Sequence, residues 1–517
     1  MDCRLNDKIR AMVEGLAREH QRELAAAGTL VDLEELTCEI GDEVARQLCE
    51  HELVGRAERA LDEEFADCPD CGESSMQCVP EPTLLTGLRG DLAYNQPRYY
   101  CPRCRRSFFP MAASLGLPAR SNVTPRVLRK MVWAGSNLGS FVAAEDAMRE
   151  LAEVSTSSQC IRRVVQRIGG QRVDERAEAV ERFKQMDLPK QQAGSKAATP
   201  PEIGVISMDG GRYQRRDHFG DKDRPSDTNH WKEDKVGCLL SMRGPLHEND
   251  PAPDFPEWLA SSSAVAELAK MTGKTGGYEL SRDSSQQDSA PGEAFGYKRP
   301  ELVSREVIAS GDHAESFGWQ LATAAWQHGF PAAERLAFVA DGAHVNWTIQ
   351  RKHFSHAVPI LDLMHALSYA HSAAEVVEGE TPYPRWAAWI WSGKVARVIE
   401  ELRIVQERIG PPPPEPSASD PRQRIRRAIT YYENHRWKMN YPEYRRLGLP
   451  LTSSHIESTI KQIAARVKGS EKFWSRPIAE AILQLRSDHL SDSKPLKTFW
   501  LGQQARQTGT NTYRHAT

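Results

Sequence analysis

Two pairs of cysteines constrain the fold of this chain more than any other feature of its sequence. Cys68-Pro-Asp-Cys71 and Cys101-Pro-Arg-Cys104 are separated by 29 residues. Each CxxC pair turns two thiolates toward one point, and two pairs together supply the four ligands of a tetrahedral Zn²⁺ site. A redox dithiol is the competing interpretation, but two pairs at this spacing favour zinc. The pattern therefore predicts a structural zinc ribbon over residues 66–112.

Length and composition set the broad class of protein. A chain of 517 residues is too long for one compact core and predicts several domains. Its hydrophobic content of 40% and charged content of 26% are ordinary for a globular protein. No apolar run approaches the ~20 residues that cross a bilayer, and no secretory signal is recognisable. We therefore expect a cytoplasmic protein without a membrane partner, whose ten cysteines are thiols or metal ligands.

The net charge of −3 hides a strong asymmetry along the chain. Residues 92–144 contain eight Lys or Arg and no acid, and residues 421–517 contain 18 Lys or Arg against 7 acids. The first 66 residues carry 17 acids against 8 bases. Solvated surface charge could explain such runs, but two separate basic regions in a nearly neutral chain favour a polyanionic partner such as DNA.

The order of helical, ribbon-like and strand-like stretches predicts a multidomain α+β protein. Shifts in composition set the boundaries between its parts. In chain order, we expect a helical N-terminal region (1–65), the zinc ribbon (66–112), a helical DNA-binding region that is helix-turn-helix-like (113–185), a linker (186–202), an α/β core (203–362) with a polar, poorly ordered insertion (244–300), a helical insertion domain (363–448), a core helix that carries a glutamate (449–490) and a basic tail (491–517).

A basic amphipathic helix is predicted in "VSTSSQCIRRVVQRIGGQR", residues 154–172, with Ser158 as its N-cap. Its apolar stripe consists of Ile161, Val164, Val165 and Ile168. The second helix of a helix-turn-helix has this pattern, although any basic amphipathic helix shares it. The candidate DNA contacts are the arginines beside the stripe and those of the ribbon: Arg162, Arg163, Arg167, Arg98, Arg103, Arg105 and Arg106.

Two apolar stretches end in Asp-Gly. "IGVISMDGG" (203–211) and "RLAFVADGA" (335–343) predict buried strands that end at Asp209 and Asp341. A single Asp at such a position often does no more than cap a loop. Two of them on adjacent strands would lie side by side at one edge of a sheet, where like charges are costly unless a cation lies between them.

Paired carboxylates of this kind suit two-metal phosphoryl transfer. Gly210 and Gly342 are then interpreted as room for a metal-bound phosphate to approach the backbone. A third acid is expected, and the candidate is Glu457, at the start of the helix predicted within 449–474. Two structural alternatives stay open: Ser454 and Glu457 match a capping box, and Lys461 could pair with the glutamate at i,i+4.

The order of these motifs resembles the ISKra family of bacterial insertion-sequence transposases over most of the chain. The matching stretches are "YYCPRCRRSFFP", the Asp-Gly strand, "DGAHVNW", "LDLMHALSYAH", "YPEYRRLGLPLTSSHIES" and "RVKGSEKFW". The family usually has Gly-Ser-Gly before its glutamate helix, where this chain has Thr452-Ser453-Ser454. Because glycine is the more permissive residue, we expect a less flexible loop here.

The resemblance implies a DDE transposase with an RNase H-like catalytic domain and a helical insertion. The acids that would be catalytic and would hold Mg²⁺ or Mn²⁺ are Asp209, Asp341 and Glu457. Asp362 and His365 form a DxxH pair that would brace this site, or would be only a helix cap and a buried histidine. Arg466 and Lys468, which follow Glu457, would contact phosphate.

The implied partner is double-stranded DNA, as the terminal inverted repeats of the element and as target DNA, and the protein would be nucleoid-associated. Further copies of the chain are expected in the DNA complex, because two ends must be held together. Two alternatives stay open. One is an RNase H-like nuclease that cuts DNA without joining strands; the other is a DNA-binding protein derived from a transposase that has lost catalysis. Intact acids at all three positions argue against the second.

Overall fold

The computed structural model describes residues 3–117, 121–216, 230–260, 298–417 and 419–505. The chain divides into two compact units, one formed by residues 1–165 with 497–517 and the other by 166–496. Both helices and strands are present, which confirms the mixed α+β class. The division at 165/166 lies inside the stretch 113–185 that was expected to form one part.

The first unit contains most of the predicted ribbon and the helices on either side of it. Its elements, in chain order, are α1 (Cys3–Glu19), α2 (Gln21–Ala26), α3 (Leu30–Leu61), β1 (Phe65–Asp67), β2 (Ser74–Gly87), β3 (Gly90–Cys101), β4 (Arg106–Phe108), α4 (Pro110–Ser114), α5 (Pro125–Asn137), α6 (Phe141–Ala152) and the beginning of α7 (Ser158–Lys184). The helical start of the chain therefore ends at Leu61, close to the predicted boundary.

The second unit begins inside α7 and contains the larger sheet. Its further elements are α8 (Leu188–Ala193), β5 (Ile203–Arg215), β6 (Trp231–Arg243), β7 (Glu301–Ser310), α9 (Ala314–Gln327), β8 (Arg335–Ala340), α10 (His344–His353), β9 (Val358–Leu361), α11 (Leu363–Ala374), α12 (Tyr383–Trp391), α13 (Val395–Ile409), α14 (Pro421–His435), α15 (Tyr441–Arg446), α16 (Ser454–Val467), β10 (Phe473–Trp474) and α17 (Arg476–Leu490). The last described helix, α18 (Pro495–Ala505), falls mostly in the first unit.

The smaller sheet has four antiparallel strands in the order β1-β2-β3-β4. One face of β2 and β3 buries Leu85, Leu92 and Tyr94 against Ala57 of α3 and Met111 of α4. Alternating buried and exposed residues along β3 are what one-sided burial of an antiparallel sheet requires. The sheet therefore holds the two cysteine pairs at one end of β3.

The larger sheet has the order β7-β6-β5-β8-β9, and β10 pairs with the far end of β5. Strands β7, β6 and β5 are antiparallel neighbours, whereas β8 and β9 run parallel to β5. The central run Ile203–Met208 is buried throughout, as expected for a strand with neighbours on both edges and helices on its faces. Helix α16 packs on β5 and β6, and α17 packs on β7.

The predicted helical insertion contains α12 to α15 after α11. Trp386 and Trp391 are buried in it, as the sequence predicts, and the proline-rich break separates α13 from α14. Part of the polar stretch 244–300, which was expected to be poorly ordered, packs against these helices. The Tyr383 hydroxyl donates to the Leu259 carbonyl at 2.9 Å, and Trp391 Nε1 donates to the Ala252 carbonyl at 2.9 Å. Residues 261–297 lie outside the described part of the chain.

The stretch 186–202 is more structured than a linker. Its central residues form α8, which begins with Pro at its first turn. Trp326 Nε1 donates to the Lys190 carbonyl at 2.9 Å, and the Ser195 amide donates to the Trp326 carbonyl at 2.9 Å. The prediction from composition was wrong here because two backbone contacts to α9 order a polar stretch that has little apolar surface of its own.

The predicted basic tail, 491–517, is helical over α18, and residues 506–517 lie outside the described part. A search of the described helices for a segment that combines the length and the hydropathy needed to cross a bilayer found none.

Candidate functional site

Asp209 does not end its strand, contrary to the sequence prediction. The parallel pairing of β5 with β8 reaches Ser207 opposite Val339, but the antiparallel pairing with β6 continues to Gln214 opposite Trp231. The β6 ladder therefore keeps the backbone extended beyond Asp209. The carboxylate lies where β8 has already ended, so it still faces the open edge beyond that strand.

Asp341 follows β8 directly, as predicted, and its carboxylate is held by local donors. The Ala343 amide donates to Asp341 Oδ1 at 2.9 Å, and Asn346 Nδ2 donates to the same oxygen at 2.8 Å. Asn346 also approaches the Met208 carbonyl at 3.4 Å, which links this turn to the residue before Asp209. Trp347 Nε1 donates to the Asp341 carbonyl at 2.8 Å. Since β5 and β8 are adjacent and parallel, both Asp residues lie at the same edge of the sheet.

Glu457 lies in the first turn of α16, and the capping box that the sequence offered as an alternative is absent there. The N-cap is Ser453, whose side chain does not bond the helix amides. Within the described part of the chain Glu457 forms no ion pair, and Lys461 acts on it only through longer-range attraction. Both structural alternatives for Glu457 are therefore disfavoured, and its half-buried carboxylate stays available for another role.

The electrostatics link the three acids. Burial and the charge of Asp341 raise the pKa of Asp209 to about 7, with a smaller contribution from Glu457, while the Gly210 amide and His365 oppose the shift. Burial and the charge of Asp362 raise the pKa of Glu457 as well. Carboxylates that raise one another's pKa face a common space in which a cation would be stabilised.

The acids are not gathered as tightly as ligands around a bound ion. In the four ribbon cysteines, all ligand atoms lie within 4.8 Å of one another. No other group of three or more His, Cys, Asp or Glu side chains among the described residues is as closely spaced. The carboxylates of Asp209, Asp341 and Glu457 are more widely spaced than this. Divalent ions would have to draw them together, as is common for all-oxygen sites that also use substrate phosphate and water.

Asp362 and His365 form both structures that the sequence left open. Asp362 is the N-cap of α11, and its Oδ1 accepts from the His365 amide at 2.9 Å and lies 3.1 Å from His365 Nδ1. Its Oδ2 accepts from the Ser453 amide at 2.6 Å and from the Ser453 hydroxyl at 2.7 Å. Ser453 of the Thr-Ser-Ser loop thus links the start of the helix that carries Glu457 to the Asp362–His365 pair.

The charges of this pair respond to the same acids. Burial alone would lower the pKa of His365, but Asp362, Asp341 and Glu457 together raise it to about 9. Burial alone would raise the pKa of Asp362, but its hydrogen bonds from His365 and Ser453 outweigh burial and lower that pKa. An imidazolium therefore faces the acid cluster at neutral pH and offsets part of its charge.

The two glycines after the acids have different surroundings, and their interpretation as room for phosphate stays a prediction. A Cβ on Gly342 would clash with Cε2 of Tyr431, whereas Gly210 is exposed and a Cβ there would lie 2.8 Å from Oε1 of the Glu233 side chain. Gly342 is therefore required by close packing of an aromatic ring from the helical insertion against the turn.

Gly342→Ala is expected to lower the stability of the protein, because the added methyl must displace the Tyr431 ring or the turn that carries Asp341. We expect a loss of about 1–3 kcal/mol in the free energy of unfolding, measured by urea denaturation. Gly139→Ala is the control, since a Cβ there has no heavy atom within 4 Å. Equal effects of the two substitutions would contradict this account.

The four cysteines of the ribbon form a site that can hold a metal ion such as zinc. Cys68 Sγ lies 4.0 Å from Cys104 Sγ, and Cys71 Sγ lies 3.6 Å from Cys101 Sγ. Tetrahedral Zn–S bonds of about 2.3 Å imply S···S separations of about 3.8 Å. Cys78 is not a member of the group, so it is a spare thiol.

Local structure explains why the thiols converge. The Cys104 amide donates to Cys101 Sγ at 3.3 Å, and this bond is the largest cause that lowers the pKa of Cys101 to about 7. Tyr99 and Phe108 stack at 5.6 Å and cover the buried side of the group. The cluster has four protein ligands, so a bound ion has no open position and its role is structural.

Loss of the metal is expected to unfold the small sheet. Cys101→Ser should abolish binding of one Zn²⁺ per chain and destabilise this unit by several kcal/mol, because metal binding energy is folding energy in small sites. Zinc content by atomic absorption and amide exchange of β2 and β3 measure the two effects. Cys78→Ser is the matched control and should keep the zinc; equal zinc loss in both variants would contradict the assignment.

The candidate DNA contacts of the first unit differ in exposure. Arg103, Arg105, Arg106 and the helical Arg162 and Arg163 are exposed, whereas Arg98 and, at the start of the second unit, Arg167 are half-buried. The apolar stripe of α7 is buried as predicted, and Ile161 and Val165 lie so close to Gly135 of α5 that a Cβ there would clash. The N-cap is Ser157, one residue before the predicted Ser158, because its hydroxyl accepts from the Cys160 amide at 3.2 Å.

Arg466 is not a surface phosphate contact, so this prediction was wrong. It is 1% exposed, and its guanidinium lies 4.9 Å from the ring centroid of Trp474. Burial and the neighbouring Arg486 lower its pKa to about 10. The side chain packs within the unit because it lies on the inner face of α16. Lys468, which follows the helix, is half-buried.

No protein-family model matches the chain, and no curated protein matches it significantly. A function for this chain is therefore inferred from its residues and their geometry.

Proposed function

We propose that this chain is a DDE transposase that binds the terminal repeats of an insertion sequence, cleaves DNA and joins 3′-OH ends to target DNA. One observation carries the proposal: Asp209 and Asp341 lie at the same sheet edge on adjacent parallel strands, where burial and the charges of Asp341 and Glu457 raise the pKa of Asp209 to about 7. Among the described cations, His365 and, at longer range, Lys461 act on these three carboxylates, and the remaining negative charge favours a divalent cation there.

The topology of the larger sheet supports an RNase H-like domain. The sheet has three antiparallel strands followed by two that run parallel to the first, in the order β7-β6-β5-β8-β9. That nuclease fold has the same strand arrangement. Helix α16 carries Glu457 across β5 and β6. The helices α12 to α15 lie in sequence between the second Asp and the Glu, where the resemblance implies a helical insertion.

The donor set fits Mg²⁺ or Mn²⁺ by its chemistry, because all three candidate ligands are carboxylates. When bound, such ions would activate the attacking oxygen and neutralise charge on the leaving oxygen. Asn346 and the Ala343 amide orient the Asp341 carboxylate, and Asp362 fixes both His365 and the loop before Glu457. The protein thus supplies ligands held in register by secondary structure, which is the main requirement of phosphoryl transfer.

The basic ribbon and α7 are the proposed DNA-binding surfaces. Arg103, Arg105, Arg162 and Arg163 are exposed and meet phosphate without desolvation of buried charge. Their arrangement on a turn and on one face of a helix suits contact with the backbone of duplex DNA.

The test is a strand-transfer assay with the DNA ends that flank the gene, a target plasmid and Mg²⁺. Wild type should cleave the ends and join them to the plasmid, and Glu457→Gln should bind the ends but give no product. Glu315→Gln is the matched control, because its carboxylate is 75% exposed and pairs with Lys352. Cleavage without joining would indicate a nuclease instead. Binding without cleavage by wild type would indicate a DNA-binding protein that has lost catalysis.

A further inference from the structure

Lys438 is a buried cation that pairs with no acid in the described part of the chain. Lys438 is 2% exposed. Its Nζ lies 4.4 Å from the ring centroid of Trp347 and 4.3 Å from that of Trp437. Its polar contacts are the Asn434 carbonyl at 3.3 Å and His435 Nδ1 at 2.8 Å, and no carboxylate of the described residues pairs with it. Burial of an ammonium without a counterion costs stability, so its presence calls for a functional reason.

The contact to His435 fixes the tautomer of that ring. Burial lowers the pKa of Lys438 only to about 8, so it is an ammonium at neutral pH and can only donate. Burial and Lys438 lower the pKa of His435 to about 4, so the ring is neutral. Its Nδ1 must then accept from Lys438, and Nε2 carries the hydrogen.

The other end of the ring reaches the turn that carries Asp341. The Gly342 backbone raises the pKa of His435, which places the ring edge near the Gly342 carbonyl, and the ring centroids of His435 and Trp347 lie 6.0 Å apart. Trp347, on which Lys438 lies, donates to the Asp341 carbonyl at 2.8 Å. Tyr431, one turn before His435 on α14, packs against Gly342. The helical insertion, through Tyr431 and His435, and helix α10, through Trp347, therefore both contact the Asp341-Gly342 turn.

We propose that Lys438 and His435 are positioning residues that set the Asp341 carboxylate for metal binding: Lys438 fixes His435 as the Nε2–H tautomer, and His435 anchors the Gly342 carbonyl. Lys438 does not contact the Asp341 carboxylate but acts on it through His435. Its burial would lower the stability of the protein while it favours catalysis. The helical insertion is then part of the catalytic apparatus and not only a spacer or a DNA-binding addition.

This inference depends on the proposed function for its kinetic readout. In Lys438→Met, which keeps the stem of the side chain, we expect the Mg²⁺ concentration for half-maximal cleavage to rise about 10-fold, with unchanged affinity for the DNA ends and an equal or higher Tm. His435→Phe should give the same shift, His435→Gln should restore part of the lost affinity for Mg²⁺, and the double variant should be no worse than either single one, since both act through one path. Lys352→Met is the control, because its partner is the exposed Glu315.

An unchanged Mg²⁺ requirement in Lys438→Met, or additive effects in the double variant, would overturn the inference while the transposase proposal stands. A second readout does not need activity: ¹⁵N chemical shifts of labelled histidine report the tautomer of His435. We expect a protonated Nε2 and a bare Nδ1 in wild type, and a mixture of tautomers in Lys438→Met. A protonated Nδ1 in wild type would contradict the inference even if the protein proved inactive on DNA.

Discussion

Asp209→Asn should abolish DNA cleavage and at the same time stabilise the metal-free protein. The amide cannot replace a charged metal ligand, so we expect the cleavage rate to fall by about 10³-fold or more. The same change removes a charge whose burial and repulsion by Asp341 raise the pKa of Asp209 to about 7. Removal of that charge should add about 2–4 kcal/mol to the free energy of unfolding at pH 8, measured by urea denaturation in EDTA.

The pH dependence follows from the sign of the shift. Because the folded-state pKa of Asp209 lies above its unfolded value of 3.8, the folded protein binds the extra proton, and wild-type stability without metal should fall as the pH rises from about 4 to 7. Asp209→Asn should lack this slope. Affinity for Mg²⁺ should change the other way and strengthen as the pH rises through 7, since the ion binds the deprotonated acid. A variant that loses both activity and stability at pH 8 would contradict the assignment of a strained acid cluster.

Asp362→Asn should damage both the fold and the site. The carboxylate is 1% exposed and accepts four hydrogen bonds from His365 and Ser453. Removal of its charge leaves the His365 imidazolium without a partner, which typically costs 3–5 kcal/mol in a buried pair. We expect that loss in urea denaturation at pH 7. Because the pKa of His365 is raised to about 9, the stabilisation by this pair is fully present below about pH 6.5 and disappears as the pH rises through 9.

A matched buried ion pair separates the two consequences of this change. Arg445 is fully buried and donates through Nε to Asp250 at 2.7 Å, in the same unit but without contact to the acids. Asp250→Asn should be destabilised to a similar extent, yet the folded fraction should keep its Mg²⁺ requirement. Asp362→Asn should need more Mg²⁺ because the loop before Glu457 is released. An identical Mg²⁺ requirement in the two variants would show that Asp362 is only structural.

Local patterns predicted those parts of the structure in which few distant residues compete. The cysteine spacing predicts the converged thiols, since CxxC geometry is local. Two apolar runs that end in Asp-Gly predict β5 and β8 and the shared edge of their acids. The extension of β5 beyond Asp209 was not predicted because it depends on pairing with β6, which a period-two pattern within one strand does not reveal. Strand β9, "VPIL", has only four residues and a proline, so its sequence gives little signal.

The residues that the sequence analysis missed act through tertiary contacts. Asn346 lies within the quoted "DGAHVNW" motif, but only the turn geometry shows that its amide bonds the Asp341 carboxylate. Lys438 has the ordinary appearance of a basic-region lysine, and only burial between tryptophans distinguishes it. Arg466 was misjudged for the converse reason: its position after Glu457 suggested phosphate, although its face of α16 packs against Trp474. A count of charges along the sequence treats Lys438 and Arg466 as surface cations, but the face of the helix or turn on which each residue lies determines whether its side chain is buried.

Iron-directed backbone cleavage tests the central claim most directly, because Fe²⁺ can replace Mg²⁺ and generates hydroxyl radicals with ascorbate and peroxide where it binds. We predict cuts next to Asp209, Asp341 and Glu457 in one chain, suppressed by excess Mg²⁺ and lost in both Asp209→Asn and Glu457→Gln. Glu315→Gln should retain the wild-type pattern. Cuts confined to other segments, or cuts near the three acids that persist in both variants, would contradict a shared metal site and with it the proposed catalytic mechanism.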